Sequence, residues 1–132
     1  MTELLLSVHP VLGYVVSGFV LVAALAAFKR AKDGLEFHAG FYRAAYLLLS
    51  VQVLLGIVLY GLGGYWDSAP LVAYVHPVVA ILALGAGQAL LGRARKTQMA
   101  ADAHRMAGRG LLLCLLLVMV AIGVASVASV SG

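Results

Sequence analysis

Four histidines are the side chains of this 132-residue chain best suited to chemistry, and two of them share an unusual setting. His9 and His76 each precede a proline inside an otherwise apolar run, S-V-H-P-V and Y-V-H-P-V. Imidazole nitrogens bind metals and exchange protons near neutral pH. An ionisable side chain in an apolar segment is costly to bury and is usually functional. The two His-Pro dipeptides are therefore candidate ligand or proton-transfer positions.

The composition predicts that these histidines lie in a membrane. Hydrophobic residues make up 64% of the chain and charged residues 11%, whereas a soluble domain has roughly half and about a quarter. Four apolar segments each have the roughly 20 residues that cross a ~30 Å hydrocarbon layer. Lipid offers the backbone no hydrogen bonds, so we expect helices. They should cover about 3–30, 35–62, 70–94 and 100–130 of a single all-α integral membrane domain, residues 1–132.

The basic residues predict how the helices are oriented. All nine lysines and arginines surround the first and third connections, while the middle connection, residues 61–70, and both termini have none. By the positive-inside rule, the two basic connections are cytoplasmic and both termini lie outside. We expect a multi-pass protein of the cytoplasmic membrane with lipid as its immediate partner. The pI near 9.5 then reflects this topology, and nucleic-acid binding is not expected.

The chain also consists of two similar halves, about 1–66 and 67–132. Superimposing His9-Pro10 on His76-Pro77 brings His38 within one residue of His104. Each half has His-Pro near the outer end of a helix, a basic loop, a second histidine and a returning helix, as in parallel repeats. Two such hairpins predict an up-down-up-down four-helix bundle.

This bundle should place the histidines in two facing pairs. His9 and His76 lie about five residues inside the outer ends of the first and third helices, roughly 7–8 Å below the boundary. Those helices are diagonal in an up-down bundle, so both rings can point across its axis. His38 and His104 begin the second and fourth helices at the cytoplasmic end. The sequence therefore predicts an outer pair and an inner pair.

Two facing imidazoles in lipid suit a b-type haem, whose flat apolar ring leaves the iron one axial position on each face. A zinc site would need four converging ligands. A proton relay would use buried carboxylates, and the apolar segments beyond Glu3 contain no Asp or Glu. We expect two haem b groups. Their iron ligands would be His9 with His76 at the outer site and His38 with His104 at the inner site.

Small residues are candidate contacts of the outer haem. Gly56 of the second helix lies level with His9, and Gly123 of the fourth helix lies level with His76. Gly13 follows His9 on the same helix face. These glycines could give clearance to a macrocycle, or they could only let helices pack closely.

Three arginines are candidate contacts of the inner haem. Arg43 and Arg109 each follow an inner histidine by five residues, and Arg105 follows His104 directly. Their guanidinium groups could bind haem propionates. They could equally extend to the cytoplasmic surface as ordinary positive-inside residues.

The order His-Pro, His, His-Pro, His, one per helix over the whole chain, resembles small four-helix transmembrane b-type cytochromes of the cytochrome b561-like kind. The resemblance implies two haems between helix pairs and electron transfer between the membrane faces, often with quinone. It assigns the outer iron to His9 and His76 and the inner iron to His38 and His104. The stretch D-A-H-R at 102–105 resembles, more weakly, the E-x-x-H-R motif of haem A synthase, whose halves are four-helix bundles.

The sequence thus predicts a di-haem membrane cytochrome that transfers electrons across the bilayer. No catalytic acid, base or nucleophile stands out, so an electron carrier is favoured over an enzyme with its own substrate. Three alternatives remain open. They are a haem-modifying or superoxide/quinone oxidoreductase, a haem-binding accessory subunit of a respiratory complex, and a haem-free scaffold. The redox partner, a quinone or a protein, and the oligomeric state also stay open.

Overall fold

A computed structural model describes residues 1–131, and over this range the chain is helical with no strand. A 3₁₀ turn, Tyr65–Asp67, and a π-helical turn, Leu71–Val75, follow the second of four long helices. The long helices are α1 (Thr2–Lys32), α2 (Gly40–Gly63), α3 (His76–Ala94) and α4 (Ala100–Ser131).

All four helices are long and apolar enough to cross a membrane, when the π-helical turn is counted with α3. Large apolar side chains cover their outer surfaces, for example Leu21, Leu54, Leu82 and Leu116. Such surfaces are stable against lipid rather than water. The expected class, an all-α protein with four helices long and apolar enough to span a membrane, is confirmed, and it indicates a multi-pass membrane protein.

The first connection differs from the sequence prediction. α1 ends in a Schellman motif: Leu35 N–H donates to the Arg30 carbonyl and Gly34 N–H to the Ala31 carbonyl. Gly34 has φ +66°, a left-handed conformation that favours glycine. α2 begins only at Gly40, later than the expected start near residue 35. His38 therefore lies in the connection and not on α2.

The helices pack in the order of the chain, with α1 against α2, α2 against α3, α3 against α4 and α4 back against α1. Small residues bring α1 and α4 close together, since a methyl group at Gly108 would lie only 3.2 Å from Cβ of Ala27. The buried rings of Tyr42 and Tyr46 fill the core from α2. This order puts α1 and α3, which carry His9 and His76, on opposite sides of the bundle.

Candidate functional site

The structure brings the imidazoles of His9 and His76 together across the bundle. Their ring centroids are 6.3 Å apart and their planes differ by 75°. Both side chains are partly buried. α1 supplies one ring and α3 the other, so the pair joins two helices that do not neighbour each other along the chain.

His76 has one ring nitrogen held by the backbone of α4. Its Nδ1 lies 2.8 Å from the carbonyl oxygen of Ala121. A carbonyl oxygen only accepts hydrogen bonds, so Nδ1 carries the proton and donates it. In the neutral ring Nε2 is then unprotonated, and this tautomer leaves a lone pair for a metal.

The π-helical turn before His76 is a feature that the sequence analysis does not predict. The His76 N–H donates to the Leu71 carbonyl, five residues earlier, in place of the usual four. The next residue, Pro77, has no N–H for the Ala73 carbonyl, and its ring would clash with that carbonyl in a regular α-helix. Pro77 is thus the sequence signal for the turn, which sets the rotation of His76 relative to the preceding chain.

His9 is held by Gln52 of α2 through two contacts to one amide nitrogen. Gln52 Nε2 lies 2.9 Å from the His9 carbonyl oxygen and 3.1 Å from His9 Nδ1. An amide nitrogen only donates, so Nδ1 accepts and, in the neutral ring, Nε2 carries the proton. Gln52 is not among the site residues predicted from the sequence. The only feature of the sequence that marks Gln52 is its position as an amide side chain in the middle of an apolar helix.

The three predicted glycines have different surroundings. A methyl group at Gly56 would lie 3.0 Å from Cε1 of His9, so Gly56 lets the imidazole approach the α2 backbone. One at Gly13 would lie 3.2 Å from Nε2 of Gln52. One at Gly123 would meet no atom within 4 Å. Two of the three therefore give room to His9 and Gln52 themselves, and the third leaves open space on α4.

His104 lies in a hydrogen-bonded cluster at the other level of the bundle. Its side chain is fully buried. Its Nε2 is 3.1 Å from the carbonyl oxygens of both Leu35 and Glu36, and so carries a proton. Its Nδ1 is 2.7 Å from the Tyr42 hydroxyl, which donates to it when the ring is neutral. Both ring nitrogens are therefore already used, by α2 and by the first connection.

The structure does not bring His38 to His104. The His38 side chain is 82% exposed, and its Nε2 lies 3.5 Å from a carboxylate oxygen of Glu36. Phe37, the neighbouring residue, packs edge-on against the His104 ring, with centroids 5.1 Å apart. An aromatic side chain thus contacts His104 where the sequence analysis expects the second imidazole.

The predicted arginines lie on the surface of the bundle. Arg105 pairs with Asp102 at 3.1 Å, and both side chains are about half exposed or more. Arg43 and Arg109 are exposed, and Arg43 lines a groove together with Tyr46 and Gln88. The sequence analysis does not single out Arg30, whose guanidinium carbon lies 4.9 Å from the ring centroid of Phe41.

Within residues 1–131 no three His, Cys, Asp or Glu side chains converge as a metal site built from protein ligands would require. The His9 and His76 pair contributes two nitrogens only. A metal bound there would need its remaining ligands from a cofactor or from solvent.

No protein-family model, curated protein or solved structure matches the chain.

Proposed function

We propose that this chain is a membrane b-type cytochrome in which His9 and His76 would hold one haem iron. The haem supplies reversible one-electron oxidation and reduction. The proposed partner is a quinone or a redox protein at the membrane face nearest this haem. The observation that carries the proposal is the separation of the two imidazoles.

That separation is compatible with a shared iron. Two metal–nitrogen bonds of about 2.0 Å, with about 1.1 Å from each nitrogen to its ring centre, put the centroids about 6.2 Å apart. The observed value is 6.3 Å. Each ring can rotate about its own metal–nitrogen bond, so an angle of 75° between the planes is compatible with this geometry.

The surroundings of the pair support the same conclusion. The Ala121 carbonyl fixes the tautomer of His76 that has a free Nε2, as the second partners of metal-bound histidines usually do. Gly56 lets the imidazole of His9 lie against α2. The helices that carry the pair are apolar, and this low-polarity setting suits an apolar macrocycle.

The proposal includes one haem only. An inner haem would require His104 to break its hydrogen bonds to Tyr42 and to the first connection. It would also require His38 to move from its exposed position and displace Phe37. These rearrangements leave several buried polar groups without partners, so the outer pair alone carries the proposal.

We also propose the up-down-up-down topology with both termini outside. Contacts of His9 with Gln52, and of His76 with Ala121, join the first third of α1 to the middle of α2 and the start of α3 to the last third of α4. The contact of Tyr42 with His104 joins the start of α2 to the start of α4. Together with the basic residues of the first and third connections, these contacts favour the expected orientation in the cytoplasmic membrane.

The test is the absorption spectrum of the purified protein, oxidised and then reduced with dithionite. We expect the sharp α band of a six-coordinate b haem, at one haem per chain. His9→Ala and His76→Ala should each abolish this band, whereas the control His38→Ala should retain it. A purified, folded protein without haem, or variants of His9 and His76 with an unchanged spectrum, would refute the proposal.

A further inference from the structure

We propose that Gln52 makes His9 the exchangeable member of the ligand pair, so that a small uncharged diatomic molecule such as carbon monoxide binds on the His9 side. This inference rests on the proposed haem site and assigns it a ligand. It follows from a difference between the two histidines that their matched His-Pro sequences do not reveal.

The two rings are held in opposite tautomers. The Ala121 carbonyl takes the proton of His76 Nδ1, which leaves Nε2 of His76 free to bind a metal. The Gln52 amide donates to Nδ1 of His9, which places the proton of His9 on Nε2. Neutral imidazole binds a metal only through its unprotonated nitrogen. His76 therefore binds without rearrangement, whereas His9 does not.

Neither nitrogen of His9 is readily available. Binding through Nε2 requires its proton to move to Nδ1, where it would face the N–H of Gln52. Binding through Nδ1 requires Gln52 Nε2, now 3.1 Å away, to leave. Each route removes a hydrogen bond that the free protein makes, and this weakens the iron–His9 bond relative to the iron–His76 bond.

The Gln52 amide cannot simply turn over to remove the conflict. Its nitrogen lies 2.9 Å from the His9 carbonyl oxygen, a contact that only a donor can make. Reversal would place Oε1 against that carbonyl oxygen. Oε1 is itself buried and has no hydrogen-bond partner among the described residues. The contact of the amide nitrogen with the His9 carbonyl therefore fixes the present orientation.

Ligand exchange at this position needs no other reactant. In the haem-loaded protein, carbon monoxide would replace the His9 nitrogen on the iron, and no proton or electron would be gained or lost. The released His9 would make its hydrogen bond with Gln52 again. An uncharged ligand is favoured over an anion because residues 1–28, 44–92 and 110–132 contain no lysine or arginine. An anion in this apolar setting would lack a counter-charge.

The experiment titrates the dithionite-reduced haem protein with carbon monoxide and follows the absorption bands. Wild type should bind it, and Gln52→Leu should bind it at least tenfold more weakly because His9 Nδ1 can then carry the proton. Gln52→Glu, of nearly equal size, places an acceptor beside Nδ1 of His9. It should also weaken carbon monoxide binding, as Gln52→Leu does. Gln88→Leu, the same change at an exposed glutamine of α3, should match wild type.

Each outcome separates this inference from the proposed function. Equal affinity in all four proteins, tighter binding in Gln52→Leu, or a wild-type haem that binds no carbon monoxide would overturn the role of Gln52 and leave the haem site intact. Loss of haem from both Gln52 variants would also overturn it, because Gln52 would then hold His9 on the iron. Absence of haem from wild type would refute the proposed function itself.

Discussion

The hydroxyl of Tyr42 lies 2.7 Å from Nδ1 of His104, and this bond joins the first turn of α2 to the second turn of α4. The other nitrogen of His104 donates to the Leu35 and Glu36 carbonyls of the first connection. One buried imidazole therefore joins three parts of the chain. Its position in the sequence matches that of a haem ligand, yet its contacts are those of a residue that stabilises the fold.

We expect His104→Ala to lower the stability of the protein. The substitution leaves the buried Tyr42 hydroxyl and two carbonyl groups without their partner, and unsatisfied buried groups cost about 1–3 kcal/mol. Unfolding of the purified protein in detergent measures the change. His38→Ala, at an exposed position, is the matched control and should unfold as wild type does. Loss of one haem from the His38 variant would instead support the second haem expected from the sequence.

Gly56→Val should reduce the haem content of the purified protein. A side chain at this position begins 3.0 Å from Cε1 of His9 and must displace the ring. Metal ligands need to be held within about 0.5 Å of their productive positions. The control is Gly61→Val on the same helix, where an added methyl group meets no atom within 4 Å. Equal haem content in the two variants would show that haem binding by His9 does not depend on the contact between its ring and α2.

Gly108→Val should destabilise the packing of α4 against α1. A methyl group at Gly108 would lie 3.0 Å from the Phe28 ring and 3.2 Å from Ala27 Cβ. Overpacking of a close interface costs about 1–3 kcal/mol. Gly92→Val is the control, because the space around Gly92 is free within 4 Å. Unfolding in detergent compares the two variants, and an equal loss of stability in both would contradict this account of the α1–α4 interface.

Cysteine labelling tests the proposed orientation. Ala69→Cys places a thiol in the middle connection and Gln98→Cys places one in the third connection, both at exposed positions. A maleimide that cannot cross the membrane should label the first variant from outside and the second only after permeabilisation. The native Cys114 is buried, so unaltered protein serves as the unlabelled control. If only Gln98→Cys were labelled in intact cells, the orientation would be the opposite of the one proposed.

The helical spans follow from local properties of the sequence. Apolar runs of about 20 residues, separated by basic or glycine-rich connections, suffice for that prediction because each membrane helix satisfies its own backbone. The late start of α2 does not follow from hydropathy. It depends on the cap at Gly34, and the residues after that cap use their carbonyls to hold His104.

The sequence by itself determined the helical membrane class, and it identified His9 and His76 as residues that could meet. It favoured that pair over His38 and His104 because His9 and His76 lie in apolar runs, but the repeat still predicted a ligand role for both pairs. Only the tertiary structure decided what each imidazole contacts. Ala121 and Gln52 give His76 and His9 opposite tautomers, and Tyr42 uses the nitrogen of His104 that a metal would need. A hydrogen bond between two helices forms only when each helix has the right rotation about its axis and the right position along the bundle, to within about an ångström. The spacing of residues in the sequence specifies neither.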